Sequence, residues 1–135
     1  MSRNNLDWIL DEHIVNLAGT KRALLLSGDG LTMASSQGID RDMAERMSAA
    51  VSGMQSLSRG SAEFADCQSS PWQQTMIEYG GGYIFLMAAS EGTYLAVSAS
   101  EGADVEVISY AMEKAIARLG QEMGIGSRGT AGAVS

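Results

Sequence analysis

The run YIFLMAASEGTYLAVSA, from Tyr83 to Ala99, decides the fold. Tyr83 to Ala89 is apolar without interruption, as a strand reads when both of its faces are covered. Glu91-Gly92 makes a tight turn, and Thr93 to Ala99 returns as a second apolar strand. A turn this short joins antiparallel neighbours. Apolar strands without a polar face need a layer on each side, so helices must cover both faces of the sheet.

Working outward, Gly80-Gly81-Gly82 turns the chain into this run from Trp72–Tyr79. That segment alternates, with Trp72, Gln74, Met76 and Glu78 on one face against Gln73, Thr75, Ile77 and Tyr79. Its mixed character and the preceding loop with Pro71 place it at a sheet edge. Ala23 to Ser27 is a short buried strand, Gly28-Asp29-Gly30 a turn, and Leu31 to Ser35 the hairpin partner. Three helical patterns complete the chain. Leu6, Ile9, Leu10, Ile14 and Leu17 follow a cap at Asn4 or Asn5 and stop at Gly19. Asp40 caps a long segment to Phe64, with Gly60 as an alternative end, and Asp104 caps Val105, Ile108, Met112, Ala115, Ile116 and Leu119. The order αββαβββα predicts one α+β sandwich over residues 1–123. The Gly-, Ser-, Ala- and Thr-rich stretch 124–135 is expected to be a disordered tail.

A chain of 135 residues and 14.2 kDa is one domain with room for a single core. Hydrophobic residues at 45% against 19% charged make it globular. No apolar run reaches the roughly 20 residues of a membrane helix, and the first residues do not read as a secretory signal. A net charge of −7 argues against nucleic acid and against anionic membrane surfaces. Cys67 is the one cysteine, so no intrachain disulfide forms, and the expected compartment is the cytoplasm.

Catalytic patterns are missing. His13, the single histidine, sits on a helix beside Glu12 with no orienting partner. Zinc needs more Cys and His ligands than this chain has. Cys67 lies in a Ser-rich loop without a base. Gly124, Gly126 and Gly129 match a dinucleotide fingerprint but follow a helix instead of a strand, and no Walker-type Gly-Lys-Ser/Thr occurs. The acidic pairs sit where helix capping and solvation explain them. No cofactor, metal or catalytic residue is expected.

The long helix carries the functional reading. At 100° per residue, Met43, Met47, Ala50, Met54, Leu57 and Ala65 form an apolar stripe, expected to cover the core. Beside it Ala49, Gly53, Ser56 and Gly60 make a seam of small residues, which suits close approach of a second helix. The remaining face presents Arg41, Glu45, Ser48, Ser52, Gln55 and Arg59. The seam, with Trp72, Gln74, Met76 and Glu78 on the edge strand, is the expected two-fold interface, because open sheet edges accept strands from another chain.

This organisation resembles the Roadblock family (the dynein light-chain seven type), especially its small bacterial members. The resemblance spans about residues 5–122. It is carried by Leu6-Asp7-Trp8-Ile9-Leu10, Ala23-Leu24-Leu25-Leu26-Ser27-Gly28-Asp29-Gly30-Leu31, Ala49 to Leu57, and Gly82-Tyr83-Ile84-Phe85-Leu86. It implies a five-stranded antiparallel sheet with the long helix on one face and the other two on the opposite face. It also implies a homodimer made by pairing third strands and setting second helices side by side. Family members act as platforms for Ras-like small GTPases, and bacterial ones often accompany a sensor-kinase-like protein. By that resemblance, Arg41, Glu45, Ser48, Ser52, Gln55 and Arg59 form the GTPase-binding face. Three other readings compete: a small-molecule sensor with Trp8, Trp72 or Tyr83 lining a pocket, an enzyme using Cys67, and a purely structural dimer without a GTPase.

Overall fold

A computed structural model describes residues 4–90 and 92–128. Helix α1 spans Asn5–Leu10 and widens into a π-helical turn, Asp11–Val15. Strands β1 (Thr20–Ser27) and β2 (Thr32–Ser35) precede helix α2 (Arg41–Gly60) and a 3₁₀ turn (Ala62–Ala65). Strands β3 (Gln74–Tyr79), β4 (Gly82–Ala88) and β5 (Thr93–Ser100) lead into helix α3 (Val105–Arg128). All pairings are antiparallel, in the order β2-β1-β5-β4-β3. The expected α+β class and element order stand.

The capping residues work as the sequence indicates. The Asn4 side chain accepts from the Asp7 amide at 2.9 Å, and the Asp7 carboxylate accepts from the Asn4 amide at 2.9 Å. Asp40 accepts from the Met43 amide at 2.8 Å, while Asp104 accepts from the amides of Glu106 and Val107. The Thr20 hydroxyl donates to the carbonyls of Ile14 and Leu17 and closes the end of the first helix. Gly19, with φ +91°, makes the turn from that helix into β1. Gly82 is required for another reason: a Cβ there would strike the Ala99 carbonyl of β5. The long helix ends at Gly60, the earlier of its two expected ends, and α3 is helical to Arg128. The remainder of the expected tail, 129–135, lies outside the described residues.

Two apolar layers sandwich the sheet. On one face Ile9, Leu10 and Ile14 join Ile108, Met112, Ala115 and Leu119 of α3 over Ala23, Leu25, Phe85, Leu95 and Val97. On the other, Ala44 and Val51 of α2 pack on Leu24, Leu26, Leu86, Tyr94 and Ala96. The long helix thus has one face of the sheet to itself. No helix among the described residues is long and apolar enough to cross a membrane.

The strip of α2 that meets the sheet differs from the expected one. Ala44, Ser48 and Val51 are buried, with Met43, Met47 and Met54 half-buried along one flank. Ala50 and Ala65 are exposed, and Leu57 is 75% exposed. The helix is rotated by about one residue step, so that Ala44, Ser48 and Val51 replace the expected stripe against the sheet and the seam of small residues turns away from it. Ala44 and Ser48 let it sit close to the strands, and the longer Met side chains fill the flank.

Candidate functional site

Helix α2 crosses its face of the sheet diagonally. Its first turn stands against Leu31 and Thr32 at the β2 side, and its last turn reaches β3, where the hydroxyls of Ser58 and Thr75 share a 2.6 Å hydrogen bond. Two sectors of sheet are left beside it.

One flank faces the β1–β2 turn and the start of β5. Here Arg41 and Glu45 pair at 3.1 Å on the surface, worth little by themselves. Ser52 is exposed on the same face about two turns further along the helix. Further along, Arg59 is exposed yet held. Its Nε donates to Gln55 Oε1 at 2.7 Å, its terminal nitrogen donates to the Tyr94 hydroxyl at 3.2 Å, and its guanidinium lies 5.6 Å from the Trp72 ring centre. Trp72 meets Tyr94 in a tilted contact at 5.9 Å and donates from Nε1 to the Thr75 hydroxyl at 2.9 Å. The result is a fixed cation on a strongly acidic protein, backed by two aromatic rings.

The six residues expected to bind a GTPase do not all reach the surface. Arg41, Glu45, Ser52 and Arg59 do, and Gln55 is half-buried while orienting Arg59. Ser48 is a correction. It is 7% exposed, lies under the helix, and its hydroxyl has no hydrogen-bond partner among the described residues. A hydroxyl is small enough to be buried at a helix–sheet contact, so the periodic pattern alone could not separate it from its polar neighbours. Tyr94 was missed in the opposite sense. It reads as an apolar strand residue, and only the crossing of α2 over β5 shows that its hydroxyl serves Arg59.

The other flank is apolar. Ala50, Met54 and Leu57 overlook a bare sector of sheet floored by the row Arg22, Ser98, Ile84 and Ile77, consecutive partners across β1, β5, β4 and β3. The small residues Ala49, Gly53, Ser56 and Gly60 are exposed on the ridge pointing away from the sheet, with open space at Gly53 and Gly60. A helix lying beside α2 on the sheet would therefore meet Ala50, Met54 and Leu57 before it met the seam.

The two sheet edges differ. At β2 the Asp7 carboxylate, 4% exposed, accepts from the Ser35 amide at 2.8 Å, and Asp11 accepts from the Gln37 amide at 3.0 Å. Helix α1 thereby closes that edge. At β3 the six residues Gln74–Tyr79 pair with β4 alone among the described residues. Gln74, Met76 and Glu78 are exposed on the α1/α3 side, opposite Met87, Phe85 and Tyr83. Trp72 is a second correction. It precedes the strand, leaves the alternation, and packs its ring on the α2 side with Tyr94.

A cleft of about 590 Å³ opens at the end of α2, lined by Arg59, Cys67 and Trp72 among others. Cys67 is exposed there with its Sγ near the Ala65 carbonyl, and His13 is exposed on the opposite side of the molecule. Trp8 is half-exposed on α1, so the three aromatic residues considered for a ligand pocket do not converge.

Comparison with known proteins agrees with this architecture. The Roadblock/LC7 domain profile matches residues 6–99. A Roadblock/LC7 domain structure from Streptomyces avermitilis is 30% identical, covers 90% of this chain and 98% of its own, and superposes with a TM-score of 0.80. A second from the same organism is 35% identical, with coverage of 86% and 99% and a TM-score of 0.69. Myxococcus xanthus MglB shares the fold at 13% identity, with coverage of 91% and 98% and a TM-score of 0.75. No curated protein matches significantly. The chain belongs to the Roadblock/LC7 domain family.

Proposed function

We propose that the chain is a homodimeric, non-catalytic platform that binds and modulates a Ras-like small GTPase in a bacterial signalling system. The asymmetry of the sheet edges carries the dimer reading. One edge is closed by the buried carboxylate of Asp7, while at the other a full six-residue strand has no outer neighbour among the described residues and lies beside an exposed apolar helix flank. Exposed strands with unpaired backbone groups attract another chain, and two-fold pairing of β3 would make one ten-stranded sheet. The GTPase reading draws on the role that the Roadblock resemblance implies. Arg41, Glu45, Ser52 and Arg59 are its contact residues, with Gln55 setting the orientation of Arg59. An arginine held by neighbours suits recognition, because little conformational freedom is lost on binding. Gln55, Tyr94 and Trp72 hold the guanidinium on this protein's own surface instead of leaving it free to extend into a partner's nucleotide site, which favours modulation of a GTPase over supply of a catalytic arginine. A sensor-kinase-like protein is a further partner on the same reading, with the cytoplasm as the place of action.

The test is recovery of partners by the tagged chain from its own host, in excess GDP and in excess of a slowly hydrolysed GTP analogue. Nucleotide-dependent capture of a Ras-like GTPase supports the platform. Capture of none in either condition overturns it and leaves the structural dimer or the small-molecule sensor.

A further inference from the structure

We propose that Phe64 is a knob of the two-fold dimer, seated in the apolar groove that the partner copy opens between its α2 and its sheet. This rests on the homodimer reading above and adds to it a specific contact and register.

Phe64 is 98% exposed in the 3₁₀ turn that follows α2. A large aromatic side chain left wholly in water is an uncommon use of apolar area. Its location gives it a use. The 20 residues of α2 measure about 30 Å, whereas five strands span about 19 Å from centre to centre. Ser58 already stands over Thr75 on the free edge, so the turn Ala62–Ala65 lies at or beyond that edge.

The groove lies on the apolar flank of α2 and has a volume of about 180 Å³. Met43 and Met47 form its helix wall, and Ile84 and Ala96 line its sheet side, with the Ser98 hydroxyl, which has no hydrogen-bond partner among the described residues, beside them. Thioether side chains adapt to an aromatic guest. Arg22 stands at the groove, exposed, and its side chain makes no ion pair or hydrogen bond among the described residues. In a chain of net charge −7 that is an open invitation to an acid, and Glu63 directly precedes Phe64.

Symmetry brings the two features together. The end of α2 lies over Thr75, near the start of β3, while the bare sector lies along Ile77 toward its end. A two-fold axis normal to the sheet at the middle of β3 exchanges these two ends. Each 3₁₀ turn then falls over the bare sector of the other copy, with Phe64 aimed at Met47 of the partner subunit and Glu63 toward Arg22 of the partner subunit.

The test uses sedimentation velocity over a dilution series, with disulfide trapping. Phe64→Ser should weaken dimerisation by at least a hundredfold, since two equivalent contacts are lost and each is worth at least tenfold. Phe64→Leu should recover much of the loss. In a Cys67→Ser background, Phe64→Cys with Met47→Cys should give a covalent dimer on mild oxidation. Met47 lies about 20 Å along α2 from the Gly60 end of the helix, and Phe64 is in the turn beyond it, which puts the pair outside the reach of an intrachain disulfide. Met76→Cys alone reports on the β3 pairing independently. A dimer trapped by Met76→Cys, but unaffected by Phe64→Ser and untrapped by the cysteine pair, overturns the knob and leaves the dimer intact. A wild-type chain that stays monomeric at high concentration overturns both.

Discussion

Leu57→Ala separates what the monomer needs from what the dimer needs. Leu57 is 75% exposed, so its truncation removes little from the isolated fold. Alanine is also the best helix former, and Leu57 lies within α2, so monomer stability should change by less than about 0.5 kcal/mol. The dimer is affected differently. Full burial of a leucine is worth about 1.5–3 kcal/mol, and alanine retains a minor part of that area. A two-fold interface contains the residue twice, so the loss sums to about 2–4 kcal/mol. That corresponds to a dissociation constant raised roughly 30- to 1,000-fold. Sedimentation velocity measures the dimer. Urea unfolding at concentrations below the dissociation constant measures the monomer, because association otherwise adds to apparent stability. An unchanged dissociation constant would place Leu57 outside the interface and refute the packing of the apolar flank against a second copy. A monomer destabilised by 2 kcal/mol or more would refute the orientation assigned to α2.

Asp7→Ala should cost about 3 kcal/mol in urea unfolding, because it removes the carboxylate half of the α1 capping box, leaving the Asn4 cap itself in place, and takes the carboxylate from the Ser35 amide; a loss under 1 kcal/mol would remove Asp7 as the clasp on β2. Ser48→Ala should be neutral or stabilise by up to about 1 kcal/mol, since the hydroxyl is buried without a partner among the described residues, and it should leave GTPase recovery unchanged. Arg59→Ala should lower stability by only about 1 kcal/mol through its contacts with Trp72, Gln55 and Tyr94, while reducing partner recovery at least tenfold. Retained recovery in a folded Arg59→Ala chain would take this residue out of the binding face.

Local rules made most of the fold legible. The apolar runs at Ala23–Ser27, Tyr83–Ala89 and Thr93–Ala99, with glycine turns between them, specify antiparallel strands covered on both faces. Asn4, Asp40 and Asp104 announce helix starts through side-chain oxygens that reach the first free amides, a contact between near neighbours. The edge position of β3 was legible from its mixed alternation and Pro71. The site was legible only in part. Periodicity distinguishes an apolar stripe from a polar one, yet it sets the helix rotation no better than a residue or two, and Ser48, Ala50 and Leu57 fall within that margin.

The sequence by itself therefore determined the elements, their order, the layers and the family, because those follow from contacts short along the chain. Tertiary structure alone decided the rest, since it depends on distant segments meeting. The diagonal crossing of α2 buries Ser48, exposes Leu57 and leaves Phe64 at the free edge. The approach of β5 and the loop before β3 gives Arg59 its partners Tyr94 and Trp72. The packing of α1 beside β2 makes Asp7 a clasp on one sheet edge and leaves the other open.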